Sequence, residues 1–334
     1  MSMLLVSIII PTNKPFHIWK PLLQCIAQQS YPSIEVVLCI DRVIASREFD
    51  QISKEVHHIL DETWVVVSLI TPHNTTFVAG KGASYVRNYG ADVAQGQMVL
   101  YMDDDGMVDQ YFVQQMMDRY DDVHDIIWHD IVLSPTIMYR DTGEIQTQWF
   151  DRMWRGLWRP QPHYAPSGKA KLWKQLFAPR MSTQAVAQLQ CIQIQMKSVM
   201  GLFAPRAVFQ VIKFDEQFEF VYEDLDFGYR ATQAWFSMIV ATDITVNHME
   251  APRTLAQISY LWSPQMVYYK ARNRIFFVRN NATRRGKLCY YSIALHAQTI
   301  WFSITVLISG TQKPRSLWML IKGTRDGFFI YQQR

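Results

Sequence analysis

Cysteine is scarce in this 334-residue sequence: Cys25, Cys39, Cys191 and Cys289 lie far apart, and no two form a Cys-x-x-Cys pair. That spacing argues against a disulfide framework or a zinc knuckle and fits a reducing cytosol. There is no Gly-x-x-x-x-Gly-Lys-[Ser/Thr] loop and no Gly-x-Gly-x-x-Gly turn, which removes the P-loop and the dinucleotide fingerprint. No internal repeat or low-complexity tract occurs. Acid is nearly missing beyond residue 250, where Asp326 stands alone against 13 Lys and Arg. The overall charge of +4 therefore hides a split, −8 over residues 1–250 and +12 over residues 251–334. An acidic body suits cations, and a basic tail suits phosphates or anionic lipid. The apolar start, residues 1–11, lacks a basic beginning and a small-residue cleavage site, so it reads as a buried strand instead of a signal peptide.

Hydrophobic residues make up 49% of the chain and charged ones 19%, an ordinary globular balance. The length suffices for one large α/β domain or for one domain with an appendage. Short β-branched runs at 4–10, 34–40, 64–70 and 97–102 alternate with amphipathic stretches near 16–29, 46–61, 82–95 and 109–120. In the first of these stretches Ile18, Leu22 and Ile26 mark one face. This alternation predicts a mostly parallel sheet with helices on both faces. Ligands bind such sheets beyond the carboxyl ends of the strands, which here carry Thr12, Asp41, Thr71 and the 103–105 run. Residues 149–180 hold four Trp and seven Lys or Arg against one acid, and read as a functional loop or an interfacial segment outside regular structure. The expected division is a catalytic domain over 1–250 and a basic helical region over 251–334.

The sharpest local pattern is Tyr101-Met102-Asp103-Asp104-Asp105-Gly106. Three adjacent carboxylates repel unless a cation neutralises them, and carboxylate oxygens suit Mg²⁺ or Mn²⁺. A polar turn capping the next helix is the plainer alternative, but it needs only one aspartate. A second pattern is Tyr222-Glu223-Asp224-Leu225-Asp226-Phe227-Gly228-Tyr229-Arg230. Acids among aromatics can have a raised pKa, as a general base requires; a helix start with acids on its dipole reads equally well. Gly80-Lys81-Gly82, with Arg87-Asn88 beyond it, offers close backbone approach and two cations for a nucleotide. His248 closes the apolar run 239–246 and is either a metal ligand or structural.

The order of these pieces resembles family 2 glycosyltransferases of the GT-A fold, in particular bacterial rhamnosyl- and galactofuranosyl-transferase-like members. Val6-Ser7-Ile8-Ile9-Ile10-Pro11-Thr12 is similar to the opening strand, and the stretch from Glu35 to Asp41 to the second, although Arg42 follows where a second acid is usual. Arg87-Asn88 and Gly96 lead into a match for the Asp-x-Asp motif. Phe214-Asp215-Glu216-Gln217-Phe218 through Glu223-Asp224-Leu225-Asp226 and Arg230 matches the catalytic Glu-Asp region. Tyr268-Tyr269-Lys270-Ala271-Arg272-Asn273-Arg274 and Gly323-Thr324-Arg325-Asp326-Gly327 resemble the tail.

The resemblance implies an inverting transferase with Mn²⁺ or Mg²⁺ on Asp103, Asp105 and His248. It implies Asp224 as the base beside Glu223, with Thr12, Asp41, Lys81, Arg87 and Asp104 on the donor. The implied partners are a UDP- or dTDP-linked sugar and a glycan or lipid-linked saccharide in surface polysaccharide synthesis. Nucleic acid is not among them, and a homo-oligomer is compatible with the reading. Two other readings compete. Asp103-Asp104-Asp105-Gly106 also fits the nucleophile loop of a haloacid-dehalogenase-like phosphatase, although that loop normally ends a first strand. The same fold also serves non-catalytic nucleotide-sugar binding. Residues 288–312 carry no Asp, Glu, Lys or Arg, so they are long enough to span a bilayer. Their basic flanks equally fit a helix lying on the inner face of the cell membrane, and a helix packed within the protein is the third choice.

Overall fold

The computed structural model describes residues 3–329 apart from 62, 64, 73–74, 144, 146–148, 155–156, 161–189, 195 and 250–259. Strands β1 (Val6–Thr12), β2 (Ile34–Ile40), β3 (Val66–Ile70) and β4 (Met98–Tyr101) alternate with helices α1 (Phe16–Ala27), α2 (Ser46–Leu60) and α3 (Ala83–Val93). β1 pairs in parallel with β2 and β4, and β2 with β3. Their side chains divide by a period of two, as pleating requires. Ile8, Ile10, Val36, Leu38, Met98 and Leu100 enter one core with α1 and α2, while Ile9, Val37, Cys39, Val99 and Tyr101 enter another under α3. Burial on both faces is why β1, β2 and β4 are continuous apolar runs; β3, at the sheet edge, is only partly covered.

Beyond β4 come β5 (Gly106–Met107), α4 (Phe112–Ile127) and β6 (Ile131–Tyr139). Next follow β7 (Trp149–Trp154), β8 (Leu157–Pro160), β9 (Cys191–Ile194), β10 (Met196–Lys197) and β11 (Phe203–Pro205). Helices α5 (Arg206–Val211) and α6 (Glu223–Gln233) precede the long β12 (Ser237–His248). The main sheet runs β3-β2-β1-β4-β11-β6-β12-β5, with β9 also on β12. It is mixed rather than purely parallel, with the longer pairings parallel as expected. β11 lies antiparallel between β4 and β6, and β12 is antiparallel to β5 and β9 but parallel to β6. The first four strands are joined by the crossover helices that parallel neighbours need.

The expectation of an irregular 149–180 segment also needs correction where it can be examined. β7 and β8 form an antiparallel hairpin extended by β10, consistent with the strand preference of their aromatic residues. Residues 161–180 lie outside the described part.

After residue 260 the described chain is helical: α7 (Pro264–Asn281), α8 (Arg284–Cys289), a π-turn (Tyr290–Ala294), α9 (Leu295–Ser309) and α10 (Lys313–Phe329). α7 is the hub, with Ile275, Phe276, Phe277 and Val278 wholly buried among Phe218, Leu225, Tyr290 and Leu295. α10 lies so close to α7 that a Cβ on Gly323 would stand 2.5 Å from the Tyr268 carbonyl oxygen.

Candidate functional site

The loops after β1, β2 and β4 meet at one end of the parallel strands, where an open α/β sheet places its ligands. The Asp41 N–H donates to the Thr12 carbonyl at 2.7 Å, and Asp41 Oδ1 accepts from the Gly80 N–H at 2.7 Å. Gly82 is required there: its φ is +92°, and a Cβ would meet the Glu219 carbonyl oxygen at 2.5 Å. Arg42 turns aside to pair with Glu48. Lys81 is not drawn to the acids; its ammonium sits 5.4 Å from the Tyr85 ring centre.

The 103–105 run receives cations from the protein itself. Thr12 Oγ1 donates to Asp104 Oδ2 at 2.6 Å, and Lys14 Nζ bridges Asp104 Oδ1 and Asp105 Oδ2 at 2.7 and 2.8 Å. Asp103 faces Arg87 at 3.2 Å, and Asp105 Oδ1 faces His248 Nε2 at 3.2 Å. The last contact follows from strand pairing, because β5 lies on the end of β12 with His248 opposite Gly106. Burial opposes charge on Asp105, but His248 and Lys14 overcome it and hold its pKa well below the usual carboxylate range. Burial likewise opposes the Lys14 ammonium, and the two aspartates reverse that and raise its pKa. At Asp104 burial prevails over the Lys14 and Thr12 hydrogen bonds, and the pKa rises.

Among the described residues no three His, Cys, Asp or Glu side chains cluster tightly enough to hold a metal ion. A pair does fit. Adjacent ligands of an octahedral ion with bonds of about 2.1 Å stand about 3 Å apart, close to the Asp105–His248 separation. The carboxylate suits Mn²⁺ or Mg²⁺, while the imidazole, a softer donor, favours a transition-metal ion over Mg²⁺. Asp103, turned to Arg87, is not beside that pair.

Arg87 joins the two acidic motifs. Its side chain keeps 7% of its exposure and reaches Asp103 at 3.2 Å and Glu223 at 3.3 Å. Helix α3 fixes the approach to α6 as well. Ser84 Oγ donates to the Phe218 carbonyl, while Asn88 bonds both backbone groups of Phe214 and the Glu216 carboxylate. The turn into α6 is strained: Val221 and Tyr222 have φ of +55° and +74°, a conformation that costs of order 1–3 kcal/mol at a non-glycine residue. Asn273, fully buried in α7, holds this turn by donating to the Phe220 and Val221 carbonyls at 2.7 and 2.8 Å.

Asp224 follows in the first turn of α6. Burial and then the neighbouring Glu223 charge push its pKa up to about 7, although Arg87 pulls the other way. Asp226, by contrast, is bound by Arg230 at 2.6 Å and Asn281 at 2.9 Å, a structural use of the third acid.

Residues 7–170 match the family model described as Glycosyl transferase family 2. That stretch, just under half of the chain, is similar to glycosyltransferase family 2. Among solved structures, S. aureus TarS is 17% identical with a TM-score of 0.50, over 98% of this chain and 55% of that one. GalNAc-T7, solved with UDP, GalNAc and Mn²⁺, is 17% identical with a TM-score of 0.52, over 89% and 58%. The 1–349 part of TarS is 16% identical with a TM-score of 0.50, over 96% and 89%. The chain thus spans little more than half the length of the first two, and at such identities the likeness establishes the GT-A fold alone. Among curated proteins none matches.

Sequence reasoning missed Lys14, and it quoted Asn273 only within the tail motif, with no role of its own. Lys14 stands two residues past the end of β1, where the strand-end rule directs attention. Asn273 carried no such signal, since its role arises from helix packing.

Proposed function

We propose that this chain is a family 2 glycosyltransferase that moves a sugar from a UDP- or dTDP-linked donor to a glycan or lipid-linked saccharide, with inversion, in surface polysaccharide synthesis at the inner face of the cell membrane. The observation that carries the reading is the Arg87 bridge. It ties Asp103 and Glu223 to one guanidinium, and next to Glu223 stands Asp224 with its pKa pushed to about 7, the range in which a carboxylate can take a proton at neutral pH.

Asp224 removes the proton from the acceptor hydroxyl, which attacks the sugar carbon opposite the leaving diphosphate. Glu223 keeps Asp224 basic and is itself anchored by Arg87. Asp41 and the Gly80 amide line the place for the base, while Thr12, Lys81 and Arg87 position the nucleotide and Asp104 the ribose or sugar. Asp105 and His248 would hold Mn²⁺ or Mg²⁺, and Asp103, the other ligand the family resemblance implies, faces Arg87. The ion supplies charge neutralisation for the departing nucleoside diphosphate. GalNAc-T7, a neighbour in fold, holds Mn²⁺ with UDP, which supports this choice. A two-part division at residue 250 would put all of these residues in the catalytic unit.

The acceptor side draws support from a cavity of about 600 Å³ between α7 and α10, lined by Glu219, Tyr268, Tyr269, Arg272, Arg315 and Lys322 among others. Its aromatic walls and cations suit a saccharide bearing phosphate. It adjoins the loop that carries Glu219 toward α6.

A panel of nucleotide sugars with Mn²⁺ tests the proposal. Saturation at 100 times the dissociation constant should add about 2.7 kcal/mol of stability, and turnover should release nucleoside diphosphate. Release of inorganic phosphate instead would favour the phosphatase, and binding without release a non-catalytic protein.

A further inference from the structure

The helix Arg284–Ser309 is long and apolar enough to cross a membrane, with a mean hydropathy of 1.4 in its best window and only 17% of that window buried. Its two faces differ. Inward lie Tyr290, Ala294, Leu295, Phe302 and Val306, packed on α7 and α10. Outward lie Ile300, Trp301, Ile304, Leu307 and Ile308, between 45% and 74% exposed. The neighbouring α10 adds Trp318, Ile321 and Phe329, between 57% and 71% exposed. Residues at this three-to-four spacing form one stripe along a helix, and so large an apolar face on a protein surface marks an interaction site.

Charge indicates what covers it. Arg284, Arg285 and Lys287 stand at one end of the long helix and Lys313 and Arg315 just past the other. None of the five has an ion pair with a described acid, and the only acid after residue 250 is Asp326, which Tyr268 and Arg325 occupy.

A buried arginine decides the orientation. Arg274 is 1% exposed on α7 and donates into the middle of the long helix, to Thr299 Oγ1 at 2.9 Å, with its guanidinium 4.7 Å from the Phe302 ring centre. If the helix crossed a bilayer in this arrangement, α7 and the Arg274 charge would have to follow it into hydrocarbon, at a cost of several kcal/mol.

We infer that α9 and α10 form a docking face that lies in the plane of an anionic phospholipid leaflet, with the outward Ile, Leu and Trp side chains in the acyl boundary and the flanking Lys and Arg on the headgroups. This rests on the membrane-surface part of the proposed function and is read without turnover, so a failed transferase assay leaves it standing.

Flotation of the full-length protein with phosphatidylcholine vesicles, with and without phosphatidylglycerol, is the test. Binding is expected only with the anionic lipid, with most protein released in about 1 M salt, where the Debye length falls to about 3 Å. The exposed pair Trp301→Glu and Ile304→Glu should lower vesicle affinity at least tenfold while melting temperature holds, and Lys313→Glu with Arg315→Glu should act the same way. Vesicle binding unchanged by both pairs would overturn the inference. So would a stable dimer in sedimentation that the apolar pair dissolves, since a second copy then covers the face. Protein that resists salt and needs detergent for release would instead show a spanning helix and overturn the in-plane orientation.

Discussion

Replacing Arg87 with methionine tests the centre of the site, because one guanidinium serves both acidic motifs. The substitution keeps much of the apolar stem and removes the charge. Asp103 and Glu223 then face each other and Asp224 without a fixed cation. Removing one partner of a buried ion pair costs about 3–5 kcal/mol. The lower end applies here, since the Asp103 side chain retains 33% exposure and can hydrate while that of Glu223 retains 13%. A loss of about 3 kcal/mol lowers the folded-to-unfolded ratio by roughly two orders of magnitude. Urea unfolding of the wild type, Arg87→Met, and Arg87→Met with Glu223→Gln gives the comparison. The double variant should recover part of the loss, because neutralising Glu223 removes one uncompensated charge.

The sign with pH follows from linkage. Arg87 holds down the already raised pKa of Asp224, so without it the folded-state pKa of Asp224 rises further above its unfolded value. The added destabilisation is then present where the unfolded chain is ionised and fades as pH falls through the folded pKa, so the deficit should shrink between about pH 8 and pH 5. An unaltered urea midpoint for Arg87→Met, or a double variant no better than the single one, would refute the bridge as a stabilising element.

Asp224→Asn should lower turnover by about 10²–10⁴-fold with donor affinity nearly unchanged, and a pH–rate profile of the wild type should lose activity as pH falls below about 7. Glu223→Gln should move that acid limb to lower pH, since Glu223 raises the Asp224 pKa; an unmoved limb, or an active Asp224→Asn beside a dead Glu223→Gln, would reverse the roles. Asp105→Ala should abolish metal binding read by calorimetry in the folded protein and stop turnover, and full turnover of the wild type in excess chelator would remove the metal from the mechanism. Asn273→Leu should reduce kcat with donor KM little changed, because it releases the Phe220 and Val221 carbonyls and lets the turn before Asp224 relax; equal loss in donor binding would make it a general structural residue. Gly323→Val should cost about 1–3 kcal/mol, the usual range for overpacking, measured by urea unfolding, because α7 and α10 approach too closely for a side chain; wild-type stability would mean that the two helices separate freely.

The β1–β4 strands and the helices between them were legible in the sequence, because strands buried on both faces, as β1, β2 and β4 are, must be continuous apolar runs and their covering helices must repeat an apolar face. The ends of those strands placed Thr12, Asp41 and the 103–105 run together before any coordinates. Strand order past β4 was not legible: whether β11 or β6 lies beside β4 depends on how a long excursion returns, and no local pattern records that. The hairpin of β7 and β8 was missed because its Trp- and Arg-rich composition resembled an interfacial loop more than a strand. The acid run announced a need for counter-charge, but which groups meet it was decided by tertiary approach. Lys14 reaches Asp104 and Asp105 from 90 and 91 residues away, and Arg87 reaches Glu223 across 136. Coulomb energy depends on distance in space, which the order of residues does not encode. The raised pKa of Asp224 has the same origin, since the surroundings that desolvate it exist only once α3, α6 and α7 have packed.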